Sequence, residues 1–195
     1  MKVYGITGGA GTGKSEVMKL LRERFGACVI LSDDVARELM MPGHISYDLV
    51  TACFGRDLLN DDLTIDRKRL ADKVFHNPEA LAKLNEMTHP YVREEIQRQI
   101  REAKASGKYS CVALESAILL DCGYEDICDE FWYVHTDVEI RRERMKSTRG
   151  YSDEKVDAVL RNQPDEESFY KKCDFVIVNN STIEDVYEQL KKKLG

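Results

Sequence analysis

Near the N-terminus, Gly8-Gly9-Ala10-Gly11-Thr12-Gly13-Lys14-Ser15 satisfies G-x-x-x-x-G-K-[ST] at every fixed position. No other stretch restricts the fold as much, because the pattern works only where a strand ends and a helix begins. Both flanks comply. Val3-Tyr4-Gly5-Ile6-Thr7 is strand-like, and Val17, Met18, Leu21 and Phe25 recur on one side of a helix. Glycines let the backbone curl so that its N–H groups face phosphate oxygens, and the helix N-terminus adds a partial positive charge. Lys14 then reaches the β- and γ-phosphates, and the Ser15 hydroxyl ligates Mg²⁺. The competing reading is a glycine-rich turn capped by Ser15. The flanking elements favour ATP or GTP, contacted by the eight loop residues and by Glu16 beside them.

Beyond the loop, short apolar runs alternate with amphipathic stretches. Strands are expected at 2–7, 27–31, 110–115, 131–135 and 174–178, each rich in Val, Ile, Tyr, Phe or Cys. Most lack polar alternation, as suits strands buried on both faces of a parallel sheet. A C-terminal helix carries Ile183, Val186, Tyr187, Leu190 and Leu194 on one stripe, and another helix is expected to start at Pro90. Together these predict a single α/β domain over 1–195, with a five-stranded parallel sheet flanked by helices. Residues 45–108 are helical in pattern without a convincing strand and read as a helical insertion. Residues 137–170 are dense in charge, with Arg141, Arg142, Arg144, Lys146 and Arg149.

Composition narrows the partners. The 29 basic and 35 acidic residues leave a net charge of −6, which argues against broad nucleic-acid binding by clustered cations. No apolar run approaches the roughly 20 residues of a membrane span, and no signal-peptide pattern opens the chain. Six scattered cysteines without a Cys-x-x-Cys pair argue against a metal knuckle and a disulfide framework. A cytoplasmic chain without an obligate protein partner is expected.

The nucleotide loop alone fits several classes. Asp-x-x-Gly after a strand and Asn-Lys-x-Asp are both missing, which disfavours a GTPase, and the glycines do not fit G-x-G-x-x-G. A small chain with a helical insertion and an arginine-rich segment suits a small-molecule kinase, in which mobile arginines close over the transferred phosphoryl group. Transfer to a hydroxyl needs a proton acceptor. Asp33, after the second strand, falls where ligands bind in open α/β sheets. It suits a base and Mg²⁺ ligand, while Ser32 or Asp33 also suits the cap of a helix starting near Asp34, and both roles can hold at once. Arg37, one turn on, suits either an anionic substrate or a surface ion pair. His89, before Pro90, suits either a cleft or a helix cap. Glu115 and Ser116 end the third strand and face the same region.

Taken in order, these strings resemble the dephospho-coenzyme A kinase family over nearly the whole chain. Gly5 through Ser15 resembles its phosphate loop, and Asp33-Asp34-Val35-Ala36-Arg37 its D-x-x-A-R segment, whose Asp is the base. His89-Pro90 with Val92 is similar to the H-P-x-[VI] signature that opens a helix of its acceptor-binding subdomain. The stretch from Arg141 to Arg149, with Gln163, resembles its lid, and Cys173 through Asn180 its segment near adenine, which implicates Asn179. The resemblance implies a P-loop kinase fold, ATP with Mg²⁺, and dephospho-CoA as acceptor. It implies acceptor contacts from Asp33, Arg37, His89 and Arg93, and lid roles for Arg141, Arg144 and Arg149. Leu31 stands where a second Asp is usual, Ala117 through Asp121 replaces P-L-L-[FV]-E, Arg141 a Gln, and Ser181 a Gly. A related kinase acting on another nucleoside, nucleotide or metabolite is the alternative.

Overall fold

The computed structural model describes residues 1–75, 77–116 and 123–195. In chain order the elements are β1 (Val3–Thr7), α1 (Lys14–Phe25), β2 (Cys28–Leu31), α2 (Ser32–Leu39), α3 (Ile45–Phe54), a 3-10 turn (Arg56–Leu58), α4 (Arg67–Phe75) and α5 (Pro78–Ser106). There follow β3 (Val112–Glu115), β4 (Glu130–His135), α6 (Val138–Arg149), α7 (Asp153–Arg161), α8 (Glu166–Lys172), β5 (Phe175–Val178) and α9 (Ile183–Leu194). The strands form one parallel sheet in the order β2-β3-β1-β4-β5, and each lies within two residues of its expected position.

Contacts divide the chain into two compact units, Met1–Ile30 with Ala103–Gly195, and Leu31–Glu102. In the first, β1 is the central strand, flanked by β3 and β4, and is buried along its whole length: Val3 pairs with Val112 and Tyr4 with Glu130. Burial on both faces explains its unbroken apolar run. Trp132 on β4 stacks on Tyr4 at 4.1 Å and meets Phe175 edge-on at 5.4 Å, so three neighbouring strands share one aromatic seam. Such pairs add about 0.5–1.5 kcal/mol each beyond their buried area. The start of α9 is fixed by a reciprocal capping box between Thr182 and Asp185. Of its expected stripe, Val186 and Leu190 are buried, while Ile183 in the first turn stays exposed.

Among the described residues, the second unit is helical apart from an isolated bridge between Leu59 and Ile65. Its core is Val50, Leu58, Ile65, Leu70 and Val74, against which Met40, Phe54 and Leu84 pack. Here two expectations are corrected. No helix starts at Pro90: α5 runs unbroken through it from Pro78. The true N-terminus is built by Asn77, whose Oδ1 accepts from the Ala80 N–H at 3.0 Å, with Pro78 in the first turn. An interior proline costs roughly 3 kcal/mol or more by removing a helical hydrogen bond. The helix continues because Leu84 and Thr88 before Pro90, and Val92, Ile96 and Ile100 after it, form one buried or half-buried stripe. His89 is therefore mid-helix rather than at a helix start. Likewise α2 begins at Ser32, not near Asp34, and its N-cap is Leu31 with no side-chain cap.

Among the described residues the five cysteines are free thiols, and no group of three or more His, Cys, Asp or Glu could hold a metal. No helix among them is long and apolar enough to cross a membrane.

Candidate active site

The loop that leaves β1 opens α1 through Gly13, whose φ of +83° places the helix cap in the left-handed region. A Cβ at Gly13 would run into the Asn179 amide nitrogen, so glycine is required there twice over, for conformation and for space. The Thr12 hydroxyl donates to Gly9 O at 2.9 Å and is fully buried, which closes the loop on itself. The first N–H groups of any α-helix lack intrahelical acceptors, so α1 presents donors where the loop curls.

The Lys14 ammonium donates to Gly8 O at 2.7 Å and Gly9 O at 3.1 Å, and stands 4.0 Å from the Glu115 carboxylate at the end of β3. The expectation that Glu115 faces this region is thus met. Ser15 is exposed in the first turn of α1, and its hydroxyl makes no hydrogen bond among the described residues.

Beneath the loop, the ends of β4 and β5 supply a brace. Asn179 Nδ2 donates to Thr12 O at 2.8 Å, and the Thr136 hydroxyl lies 3.0 Å from the same oxygen. Arg144 Nη2 donates to Asn179 O at 3.0 Å, and its other terminal nitrogen reaches Thr136 Oγ1 at 3.5 Å. Asn179 and Thr136 thus hold the loop backbone at Thr12, next to Gly13, and Arg144 holds both of them. Thr136 was not singled out by sequence; the only signal is a polar triplet, His135-Thr136-Asp137, directly after an apolar strand.

Arg141 lies over the loop. Its Nε donates to Ala10 O at 2.9 Å and its Nη2 to Gln163, and a Cβ on Gly9 would strike both side chains. Burial lowers the guanidinium pKa, opposed by the Tyr133 and Glu166 charges. Glu166 on α8 accepts from the Tyr133 hydroxyl at 3.1 Å and sits 2.5 Å from His135 Nδ1, tying α8 to β4. Beside Arg141 opens a cavity of about 620 Å³ whose lining includes Asp137, Gln163 and Glu166. Arg149 stands apart at the C-terminal end of α6, with its guanidinium 6.0 Å from the Tyr151 ring. No hydrogen bond or ion pair joins it to the loop among the described residues.

In the second unit, Asp33 is exposed in the first turn of α2 and caps nothing, so the capping alternative falls away. Arg37 pairs with Asp34 at 2.5 Å and, with Asp33, lines a cavity of about 280 Å³ floored by Met40, Leu70 and Val74. Arg67, which the sequence reading passed over, lines it too. His89 and Arg93 lie one turn apart on α5, both half-buried, and do not line this cavity. The segment Ala117 through Asp121 lies outside the described residues.

Comparison with known proteins identifies the family. The sequence model of the dephospho-CoA kinase family matches residues 2–185. A dephospho-CoA kinase of Carboxydothermus hydrogenoformans is 36% identical over 190 residues, covering 97% of this chain and 91% of that protein. A crystal structure from Thermus thermophilus superposes with a TM-score of 0.82 at 31% identity, covering 99% of this chain and 96% of the other. The dephospho-CoA kinase of Campylobacter jejuni does so with a TM-score of 0.71 at 26% identity, covering 98% and 94%. With the phosphate cradle, the parallel sheet and a full-length match in hand, the chain belongs to the dephospho-CoA kinase family.

Proposed function

We propose that this chain transfers the γ-phosphoryl group of ATP to the ribose 3′-hydroxyl of dephospho-CoA, giving CoA and ADP. The observation that carries this reading is the phosphate loop, braced through Thr12 O and overlaid by Arg141, in a chain that matches dephospho-CoA kinases from end to end. Phosphoryl transfer needs little covalent help from protein; it needs positioned donors and compensating charge.

The loop N–H groups from Gly8 to Ser15, with Glu16 following, hold the phosphates, and the Lys14 ammonium exchanges its carbonyl partners for β- and γ-oxygens. Asp33 accepts the 3′-hydroxyl proton as the ribose oxygen bonds to phosphorus and the bond to the β–γ bridging oxygen breaks. Arg141 supplies positive charge to the transferring group, Arg144 fixes Asn179 at the nucleotide, and Arg149 closes the far end of the lid. Arg37, His89 and Arg93 serve the acceptor. Ser15 and Asp33 would hold Mg²⁺, which neutralises the β- and γ-oxygens when bound. The unengaged Ser15 hydroxyl and the absence of a carboxylate cluster among the described residues suit a cation that takes its other ligands from phosphate and water. Residues 45–108 act as the acceptor insertion and 137–170 as the lid of a cytoplasmic enzyme that needs no protein partner.

A coupled ADP assay with and without dephospho-CoA tests the reading. ADP formation that depends on dephospho-CoA is expected; acceptor-independent ADP release, or none, overturns it.

A further inference from the structure

His135 closes β4, and its ring stands between two carboxylates from different elements. Nε2 lies 3.1 Å from Asp137 Oδ1 at the start of α6, and Nδ1 lies 2.5 Å from Glu166 Oε1 on α8. A neutral imidazole carries a single N–H, so one of these oxygens would face a lone pair; only the imidazolium offers a donor to each. Nδ1 is buried and has no aligned hydrogen bond among the described residues, which leaves charge as the reason for its contact with Glu166. Tyr133 and Tyr170 turn their rings toward the imidazole at 5.9 and 6.0 Å. Burial, then the Glu166 charge, pushes both phenols up, so they stay protonated at neutral pH. Arg141 and Asp165 line the same cavity of about 620 Å³, and from β5 the register partner is the uncharged Val178.

This contact sits between the two places where side chains hold the phosphate loop. The residue after His135, Thr136, reaches Thr12 O. Three residues before Glu166, Gln163 meets Arg141 over Gly9, and Arg141 donates to Ala10 O. Between Gln163 and Glu166 stand only Pro164, with its fixed φ, and Asp165, whose Oδ1 caps α8 by accepting from the Ser168 N–H at 2.7 Å. Drawing Glu166 to His135 therefore seats Gln163, and through it Arg141, on the loop.

We propose that Glu166 and His135 are positioning residues of the phosphate loop: their contact forms fully when the imidazole is charged, holds Gln163 and Arg141 on Gly9 and Ala10, and so tightens the grip on nucleotide on the acid side of neutral pH. Side chains already ordered by the contact need not be ordered by the nucleotide, which lowers the cost of binding. Protonation adds the attraction, so nucleotide affinity declines as pH rises through the histidine range. Both carboxylates are about half exposed, so the effect is that of a screened ion pair. The inference rests on the nucleotide binding proposed above and not on the acceptor.

The test is calorimetric titration of ADP into the full chain between pH 6 and pH 8.5, comparing wild type with Glu166→Gln and His135→Gln. Glu166→Gln keeps an acceptor for the Tyr133 hydroxyl and removes only the charge. The ratio of variant to wild-type Kd cancels the titration of ADP itself. For both variants that ratio should be about threefold at pH 6, the worth of a screened ion pair, and fall to near one at pH 8.5. The double variant should match either single one. A ratio that holds constant from pH 6 to pH 8.5, whatever its size, overturns the inference, because a purely structural role acts alike at every pH. If ADP binds wild type at no pH, the nucleotide reading itself fails and takes the inference with it.

Discussion

Gly13→Ala probes the brace beneath the phosphate loop. An alanine held at φ +83° costs about 1–2 kcal/mol in left-handed strain. Its Cβ also lands on the Asn179 amide, which must withdraw from Thr12 O and give up a buried hydrogen bond of 2.8 Å. Leaving a buried acceptor short of a donor costs about 1–3 kcal/mol, less here because Thr136 still reaches the same oxygen. The total expected loss is about 2–4 kcal/mol. Gly26→Ala is the matched control. It sits at the other end of α1 with φ +66° and meets only Ser110 Oγ at 4.0 Å, so it should cost the strain alone, about 1–2 kcal/mol. Urea denaturation of both variants, and of Asn179→Ala with and without Gly13→Ala, separates the contributions. In the Asn179→Ala background the Gly13→Ala cost should fall to that of Gly26→Ala. Equal costs for the two glycines in wild type, together with strict additivity at Gly13 and Asn179, would refute the steric account.

Glu130 ties the starts of β1 and β4 to the end of α9, accepting from Lys2 at 2.8 Å, with Lys193 at 2.9 Å and Trp132 Nε1 at 3.1 Å. Hydrogen bonds from Lys2, then Lys193, hold its carboxyl down at about 2. A depressed carboxylate stabilises the fold above its ordinary range and loses that contribution as pH falls from about 4.5 toward 2. After solvent screening it is worth on the order of 1–2 kcal/mol. Glu130→Gln should therefore be less stable than wild type in urea at pH 6 and converge on it near pH 2; a constant deficit would contradict the linkage. Asp33→Asn should lower kcat by roughly 10²–10⁴ with KM for ATP unchanged, measured at saturating dephospho-CoA. Turnover within tenfold of wild type would remove Asp33 as the base.

The phosphate loop and the five strands were legible because their signals are local: a fixed motif, and apolar runs that no partner choice alters. Pro90 misled for the opposite reason. Read locally a proline begins a helix, yet a buried stripe on both sides of it holds α5 together through the break. The charge-rich segment showed that arginines gather after β4 but not which of them reach the loop. Arg141 and Arg144, three residues apart, share a face of α6; Arg149, five residues further, turns away from them. Thr136 and Arg67 escaped notice because one hydroxyl after a strand, or one cation in a basic turn, carries no periodicity. Only the fold shows that the first touches Thr12 O and the second lines the Asp33 cavity.

The central place of β1 has a consequence for how the chain comes into being. Its partners β3 and β4 begin at Val112 and Glu130, so β1 must wait for more than 100 further residues before it can pair with either. At roughly 5–20 residues per second, the interval between Val3 and Val112 leaving a ribosome is on the order of 5–20 s. By then Leu31–Glu102, contiguous in the chain, is complete, while the other unit still lacks its sheet. The last brace arrives later again, since Asn179 meets Thr12 across 167 positions. A nascent or truncated chain ending before Asn179 thus displays the whole nucleotide motif with its backbone support unfinished. Nucleotide capture should accordingly wait until Asn179 has been made.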